Sequence, residues 1–373
     1  MKVAVLKEIR EFEGRVAATP ETVKKMTGLG LTVSVEADAG LASSISNDQY
    51  KAAGASVAAA RAELLKDAGI ILKVQRPTAE EVKLLPARAI LIGFFQARFN
   101  PELISELTKQ QVTTFSLDGI PRITRAQRMD VLSSQSNIAG YKAVLLASDS
   151  LNKMMPLMMT AAGTVTPARV LVLGAGVAGL QAIATAKRLG AVVEAFDTRP
   201  VVKEQVESLG AKFLELEISQ DAKEDAGGYA KELSEEEHRK EMEMLAKHTK
   251  DSDIVITTAL IPGRPAPLLI TADTVKQMKK GSVIVDLAAE NGGNCELTEK
   301  DKKMTKDGVT IIGYTNVPSL VAYHASQLYS RNLLNFLGEI VKKGELQINT
   351  EDEVVRGALA NEVFSAAQSG RSR

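Results

Sequence analysis

Short β-branched apolar runs alternate along the chain with longer stretches in which apolar residues recur every three or four positions. That alternation is the mark of βαβ units around a parallel sheet. In the first third the predicted strands cover residues 3–6, 32–36, 70–74, 89–95 and 112–117. Helical patterns lie between them, such as 21–28, where Thr19 suits the N-cap and Pro20 the first turn. A second series begins near residue 170, with strands expected at 170–173, 192–196, 254–257, 283–286 and 310–313. After Pro318 an amphipathic stretch over 327–342 is long enough to return to the first domain. The expected fold class is therefore α/β: two doubly wound, Rossmann-like parallel-sheet domains with a cleft between them, the second inserted into the first. The outer domain takes 1–136 and 318–373, and the inserted domain takes 137–317. The first third has no glycine-rich phosphate loop and reads as a scaffold and substrate-facing domain.

The strongest chemical signal opens the second series. A β-branched strand runs straight into Gly174-Ala175-Gly176-Val177-Ala178-Gly179, a helical pattern follows, and a second strand ends at Asp197. Gly174 permits the tight turn, Gly176 lets backbone approach a pyrophosphate, and Gly179 lets helix and strand pack closely. The helix start, including Val177 and Ala178, offers unpaired N–H groups and the positive dipole end to phosphates. Asp197 stands where a carboxylate accepts from both hydroxyls of an adenosine ribose, which selects NAD(H) over NADP(H). Thr198 and Arg199 follow at once, and an arginine there can accommodate a 2′-phosphate, so Arg199 pulls the other way. The segment with Thr258 and Leu260 has the spacing of a loop over the adenine side, or equally of an ordinary strand-to-helix turn.

Composition narrows the partners. Lys+Arg and Asp+Glu number 46 each, so no net field recruits nucleic acid or anionic lipid. Aromatics are 4% and tryptophan is absent, so the core must be mostly aliphatic. A lone cysteine, Cys295, excludes an internal disulfide and a cysteine metal site; no metal is expected, and a cytoplasmic setting fits. The N-terminus reads as a strand, and no apolar window is long enough to span a bilayer. Of the three histidines, His238 and His248 fall in a charged helical stretch where solvent exposure is expected, and His324 has no motif around it. None is a persuasive proton acceptor of the kind an alcohol or amine dehydrogenase needs. Residues 219–233 are polar around Gly227-Gly228 and Tyr229, and read either as a surface loop or as a lid. The Ser234-Glu235-Glu236-Glu237 run has capping-box spacing and predicts a charged helix.

Residues 121–141, PRITRAQRMDVLSSQSNIAGY, resemble the nicotinamide-side signature of the NAD(H)-binding component of proton-translocating transhydrogenase. The resemblance continues through the glycine motif, FDTRPVVKEQVESLGAKFLELE, GGYAKEL, TTALIPGRPAPLLIT and VIVDLAAENGGNCELT, and covers most of residues 1–330. It implies that Arg122, Gln127, Asp130 and Ser133 surround the dihydronicotinamide, with Gln127 nearest the partner cofactor, and that Tyr229 belongs to a mobile loop. It further implies direct hydride transfer between NADH held here and NADP(H) held by a partner component, coupled to proton movement by a membrane-spanning component. A homodimer is implied too, peripheral on the inner membrane through its partner subunits and without direct membrane insertion. The chain ends at Arg373 without membrane helices, as a separate subunit or an excised domain would.

Alanine dehydrogenase is similar over both domains and supplies the rival reading. Arg15 matches its substrate arginine, but Gln75 stands at the lysine position and Gln96 at the histidine position. Glutamine shuttles no proton, so those departures remove amino-acid oxidation while leaving the dinucleotide motif intact. A non-catalytic NAD-sensing protein is the third class.

Overall fold

The structure is a computed structural model that describes residues 1–215, 235–261 and 264–361, with the side chains of 235–237 set aside. The chain divides into two compact units, Met1–Gln135 with Pro318–Arg373, and Ser136–Val317.

The first unit is built on a seven-stranded sheet. Its strands run in the order Leu359–Asn361, Thr113–Ser116, Ile90–Gly93, Ile70–Leu72, Lys2–Val5, Thr32–Glu36 and Ser56–Ala58. All pair in parallel except Leu359–Asn361, which lies antiparallel on Thr113–Ser116. Successive residues feed opposite faces: Val3 and Val5 join one core cluster, Ala4 and Leu6 another. That two-faced burial is why these strands read as unbroken apolar runs. The helix Ala322–Ile340 packs Tyr329, Leu333, Phe336 and Leu337 into the first of those clusters. It begins five positions before the expected 327 (322 against 327), because Tyr323 and His324 on its first turn obscure the apolar stripe.

The second unit repeats the plan. Its sheet runs Lys212–Phe213, Val192–Phe196, Arg169–Leu173, Ile254–Thr257, Val283–Asp286, Val309–Ile312 and Lys303–Lys306. Only Lys303–Lys306 is antiparallel in this sheet. Val170 and Val172 pack into one face, Leu171 and Leu173 into the other. The chain leaves Arg169–Leu173 for one neighbour, Val192–Phe196, and later returns to its other side with Ile254–Thr257. The carboxyl ends of those strands therefore flank the point where strand order reverses, the place where open α/β sheets bind ligands. Outside this sheet, Met158–Thr160 and Gly163–Val165 pair with each other as a two-stranded hairpin.

Candidate functional site

Gly174 follows directly on Arg169–Leu173 with φ +96, a turn that disfavours any side chain. A methyl built there would stand 2.5 Å from Thr258 Oγ1. Gly179 lies in the first turn of the helix Val177–Arg188, where a methyl would overlap the Gly174 carbonyl oxygen. On the neighbouring helix Val131–Ser150, a methyl at Gly140 would overlap the Ala178 carbonyl oxygen. Gly176 differs from all three. It is the N-cap of Val177–Arg188, no side chain caps the helix, and a methyl there meets nothing nearer than Arg199 Nη2 at 4.0 Å. Val177 beside it is exposed. The protein's own atoms thus fix three glycines, while Gly176 faces open space beside unpaired N–H groups and a positive dipole end. That arrangement fits an anion drawn close to backbone, as the pyrophosphate of a dinucleotide requires.

Asp197 ends the next strand and ties the turn together. Its Oδ2 accepts from Ala175 N at 2.7 Å, and Arg199 grips both oxygens through Nε and Nη2, each at 2.9 Å. Thr198 between them is half-buried. On the other side of the switch point, Thr258 Oγ1 donates to the Gly174 carbonyl at 3.0 Å. The exposed Leu260 follows, and Pro262 and Gly263 lie outside the described residues. Sequence reasoning gave no role to what holds this segment. Buried Asn294 brackets Ala259, accepting from its N–H at 3.1 Å and donating to its carbonyl at 2.9 Å. Asn294 is anchored in turn by buried Asp286, whose Oδ2 accepts from Asn294 N, Cys295 N and Thr298 Oγ1. The only signal for these two was the VIVDLAAENGGNCELT run itself. Cys295 is 1% exposed, and burial pushes its thiol up to about 11.

The other predicted group lies in the first unit. Arg122 is exposed on a loop, Gln127 is exposed within the 3-10 turn Thr124–Met129, and Asp130 and Ser133 open the helix Val131–Ser150. Asp130 accepts from Ser133 N at 2.9 Å and Ser133 Oγ at 2.5 Å, a helix-capping geometry. Its own N–H donates to the Gln127 carbonyl at 3.4 Å. Gln127, Asp130 and Ser133 are thereby brought together. A further residue, Asn332, holds the segment from behind. Its amide donates to the Arg128 carbonyl at 2.8 Å and its oxygen accepts from Ser134 Oγ at 2.7 Å. Tyr229 lies outside the described residues.

The positions that bear on amino-acid chemistry are also fixed. Arg15 is buried against Glu13, and its Nη1 donates to Gln135 at 2.9 Å. Burial by itself would raise the Glu13 carboxyl, but the Arg15 ion pair and hydrogen bonds overcome it and hold it at about 2. Gln75 donates to the same carboxylate at 3.0 Å, and Gln96 takes a left-handed backbone with φ +49. His248 corrects its sequence expectation: it is 23% exposed rather than solvated, because Nδ1 bonds Glu194 at 2.9 Å. His238 is exposed beside Glu241, and His324 lies edge-on to Tyr323. Among the described residues, no group of three or more His, Cys, Asp or Glu side chains is placed to hold a metal ion.

Comparison with known proteins finds relatives over most of the chain. The family described as alanine dehydrogenase/PNT, N-terminal domain, matches residues 4–139, and its C-terminal domain counterpart matches 143–363. A chain of the NAD(P) transhydrogenase alpha subunit from Rhodospirillum rubrum is 53% identical over 365 residues, covering 96% of this chain and 95% of that one. The crystal structure of transhydrogenase from Sinorhizobium meliloti superposes with a TM-score of 0.87 at 48% identity, covering 96% and 98%. An L-alanine dehydrogenase structure superposes at 0.80 with 26% identity, covering 99% and 98%. With both domain models matched and half its residues shared with a transhydrogenase subunit, the chain belongs to the alanine dehydrogenase/PNT family, on its NAD(P) transhydrogenase alpha-subunit branch.

Proposed function

We propose that this chain holds NADH for direct hydride transfer to NADP+ carried by a partner component, in a proton-translocating transhydrogenase of the Si/Re-specific type. The observation that carries the reading is the open space over Gly176 at the switch point of a parallel sheet, bordered by Asp197 at a strand end. In this reading Gly174, Gly176, Val177, Ala178 and Gly179 hold the pyrophosphate, and Asp197 and Thr198 hold the adenosine ribose, with Arg199 at the edge of that site. Thr258 and Leu260 cover the adenine side. Arg122, Gln127, Asp130 and Ser133 hold the nicotinamide end. Bound there, NADH supplies a hydride from its dihydronicotinamide ring. The chain's own task is to orient that ring and exclude water while two reacting carbons approach to about 3–3.5 Å. Hydride exchange between two nicotinamides needs no proton acceptor, in keeping with Gln75 and Gln96 at the two positions where the resembling dehydrogenase has proton-carrying side chains.

The relatives are named as subunits, which supports partners; the proposed ones, taken from the sequence resemblance, are an NADP(H)-binding component and a membrane-spanning component that couples transfer to proton translocation. The chain sits in the cytoplasm, peripheral on the inner membrane through those partners; among the described residues no helix is long and apolar enough to cross a membrane. Support for a homodimer comes from the hairpin, where Leu157, Met158, Met159 and Val165 expose apolar side chains together.

The test mixes the purified chain with an NADP(H)-binding component and follows transfer from NADH to an NADP+ analogue. Asn caps a helix as well as Asp, so Asp130→Asn should lower the transfer rate by tenfold or more and leave the unfolding midpoint within a degree or two of wild type. Transfer unchanged by Asp130→Asn combined with Gln127→Asn would remove the nicotinamide-side assignment. Alanine-dependent NAD+ reduction by the chain alone would replace the reading with the dehydrogenase one.

A further inference from the structure

Asp197 is already full. Its Oδ1 accepts from the N–H and the Nε of Arg199, both at 2.9 Å, and its Oδ2 accepts from Ala175 N at 2.7 Å and Arg199 Nη2 at 2.9 Å. A carboxylate offers about four lone-pair sites, and these donors take two on each oxygen. An adenosine ribose brings two hydroxyl donors of its own, so it finds no vacant acceptor. The four donors are not equivalent, however. Two are main-chain N–H groups fixed by the turn, one on each oxygen. The other two belong to the Arg199 side chain, again one on each oxygen. Withdrawing the guanidinium alone opens one acceptor site per oxygen, the pattern a vicinal diol fills. The same Nη2 is the nearest atom to the open space over Gly176, so the guanidinium borders the pyrophosphate position as well. Its side chain is 18% exposed against 7% for Asp197, which gives it a route outward.

We propose that Arg199 is a specificity-determining residue, a placeholder that occupies the diol site of the nucleotide-free chain and is displaced when nucleotide binds. The inference rests on the nucleotide reading of this site and deepens it. Displacement breaks the two charge-assisted hydrogen bonds from the guanidinium to Asp197, a cost charged to every NADH molecule that binds. For NADPH the balance differs: the 2′-phosphate meets the Asp197 charge, and the displaced guanidinium, still within reach, offsets that repulsion. Arg199 therefore narrows the preference for NADH from both directions. Asp197 by itself would discriminate more sharply than the pair does.

The test is fluorescence titration of NADH and of NADPH into the full chain and into Arg199→Leu and Arg199→Gln. The absence of tryptophan leaves nucleotide emission clear of a competing signal. Both variants should bind NADH about five- to tenfold tighter and NADPH no tighter, widening the ratio of dissociation constants roughly tenfold, equivalent to about 1.4 kcal/mol. Weaker NADH binding in the variants would mean that the guanidinium holds the nucleotide, and would overturn the placeholder. An unchanged ratio would do the same, leaving an ordinary ion pair. Should Arg199→Leu fail to fold, Arg199→Gln, which keeps a polar head, decides the question. A wild-type chain that bound neither nucleotide would overturn the nucleotide reading itself, a different result from either of these.

Discussion

A single methyl group separates the tasks of the glycines. At Gly179 and Gly140 the added carbon collides with carbonyl oxygens of the glycine turn and its helix, so Gly179→Ala and Gly140→Ala should each destabilise the chain by ~1–3 kcal/mol. At Gly176 the carbon meets open space, and Gly176→Ala should cost at most ~1 kcal/mol, the difference between glycine and alanine at an N-cap. NADH affinity, by contrast, should fall tenfold or more in Gly176→Ala. Denaturant unfolding and nucleotide titration on the same preparations check both halves, and Gly176→Ala binding like wild type would count against the pyrophosphate placement. Gly174, Gly176, Gly179 and Asp197 were legible in the sequence because the motif is local: strand, turn, helix and strand follow without interruption. Gly140 was not, since the atom that forbids its side chain belongs to a different helix. Asp286 and Asn294 escaped for the same reason, being defined by hydrogen bonds to residues distant in the chain.

At the scale of elements, the helix Ala322–Ile340 carries a consequence for the segment Thr124–Met129. Asn332 bridges the Arg128 carbonyl and Ser134 Oγ, pinning both sides of Asp130 at once. Asn332→Leu should lower the hydride-transfer rate about tenfold, since a displacement of order 1 Å costs that much or more in a positioned reaction. NADH affinity should stay within about twofold, because the glycine turn and Asp197 belong to the other unit. Asn332→Asp, which keeps the acceptor for Ser134, should recover part of the rate. Equal loss of affinity and rate would point to a purely structural role. Inner strands were readable in advance: Thr32–Glu36, Val192–Phe196, Ile254–Thr257 and Val283–Asp286 fall at their expected limits. Ser56–Ala58, Lys212–Phe213, Lys303–Lys306 and Leu359–Asn361 were not foreseen. Each stands at a sheet edge; three have only two or three residues, and Lys303–Lys306 is largely exposed, so length or apolar content fails to mark them.

For the whole molecule, the hairpin bears on assembly. Met159 is 78% exposed and Leu157 57%, in a chain whose charges balance at 46 of each sign. With no net charge to keep copies apart, an exposed apolar ribbon favours self-association. Sedimentation of the wild type at micromolar concentration should give a dimer, and Met159→Asp with Leu157→Asp should shift it toward monomer. A monomeric wild type would dismiss the homodimer. The hairpin was invisible in the sequence because an apolar run reads alike whether it is bound for the core or for the surface.

The burial of Cys295 has a practical corollary. A thiol that is sequestered and held protonated ignores maleimides and nitroxide reagents at neutral pH. A cysteine engineered at an exposed position away from the hairpin would then be the sole reactive handle on each copy, giving a spectroscopic ruler from one polypeptide to the next without first removing a native residue.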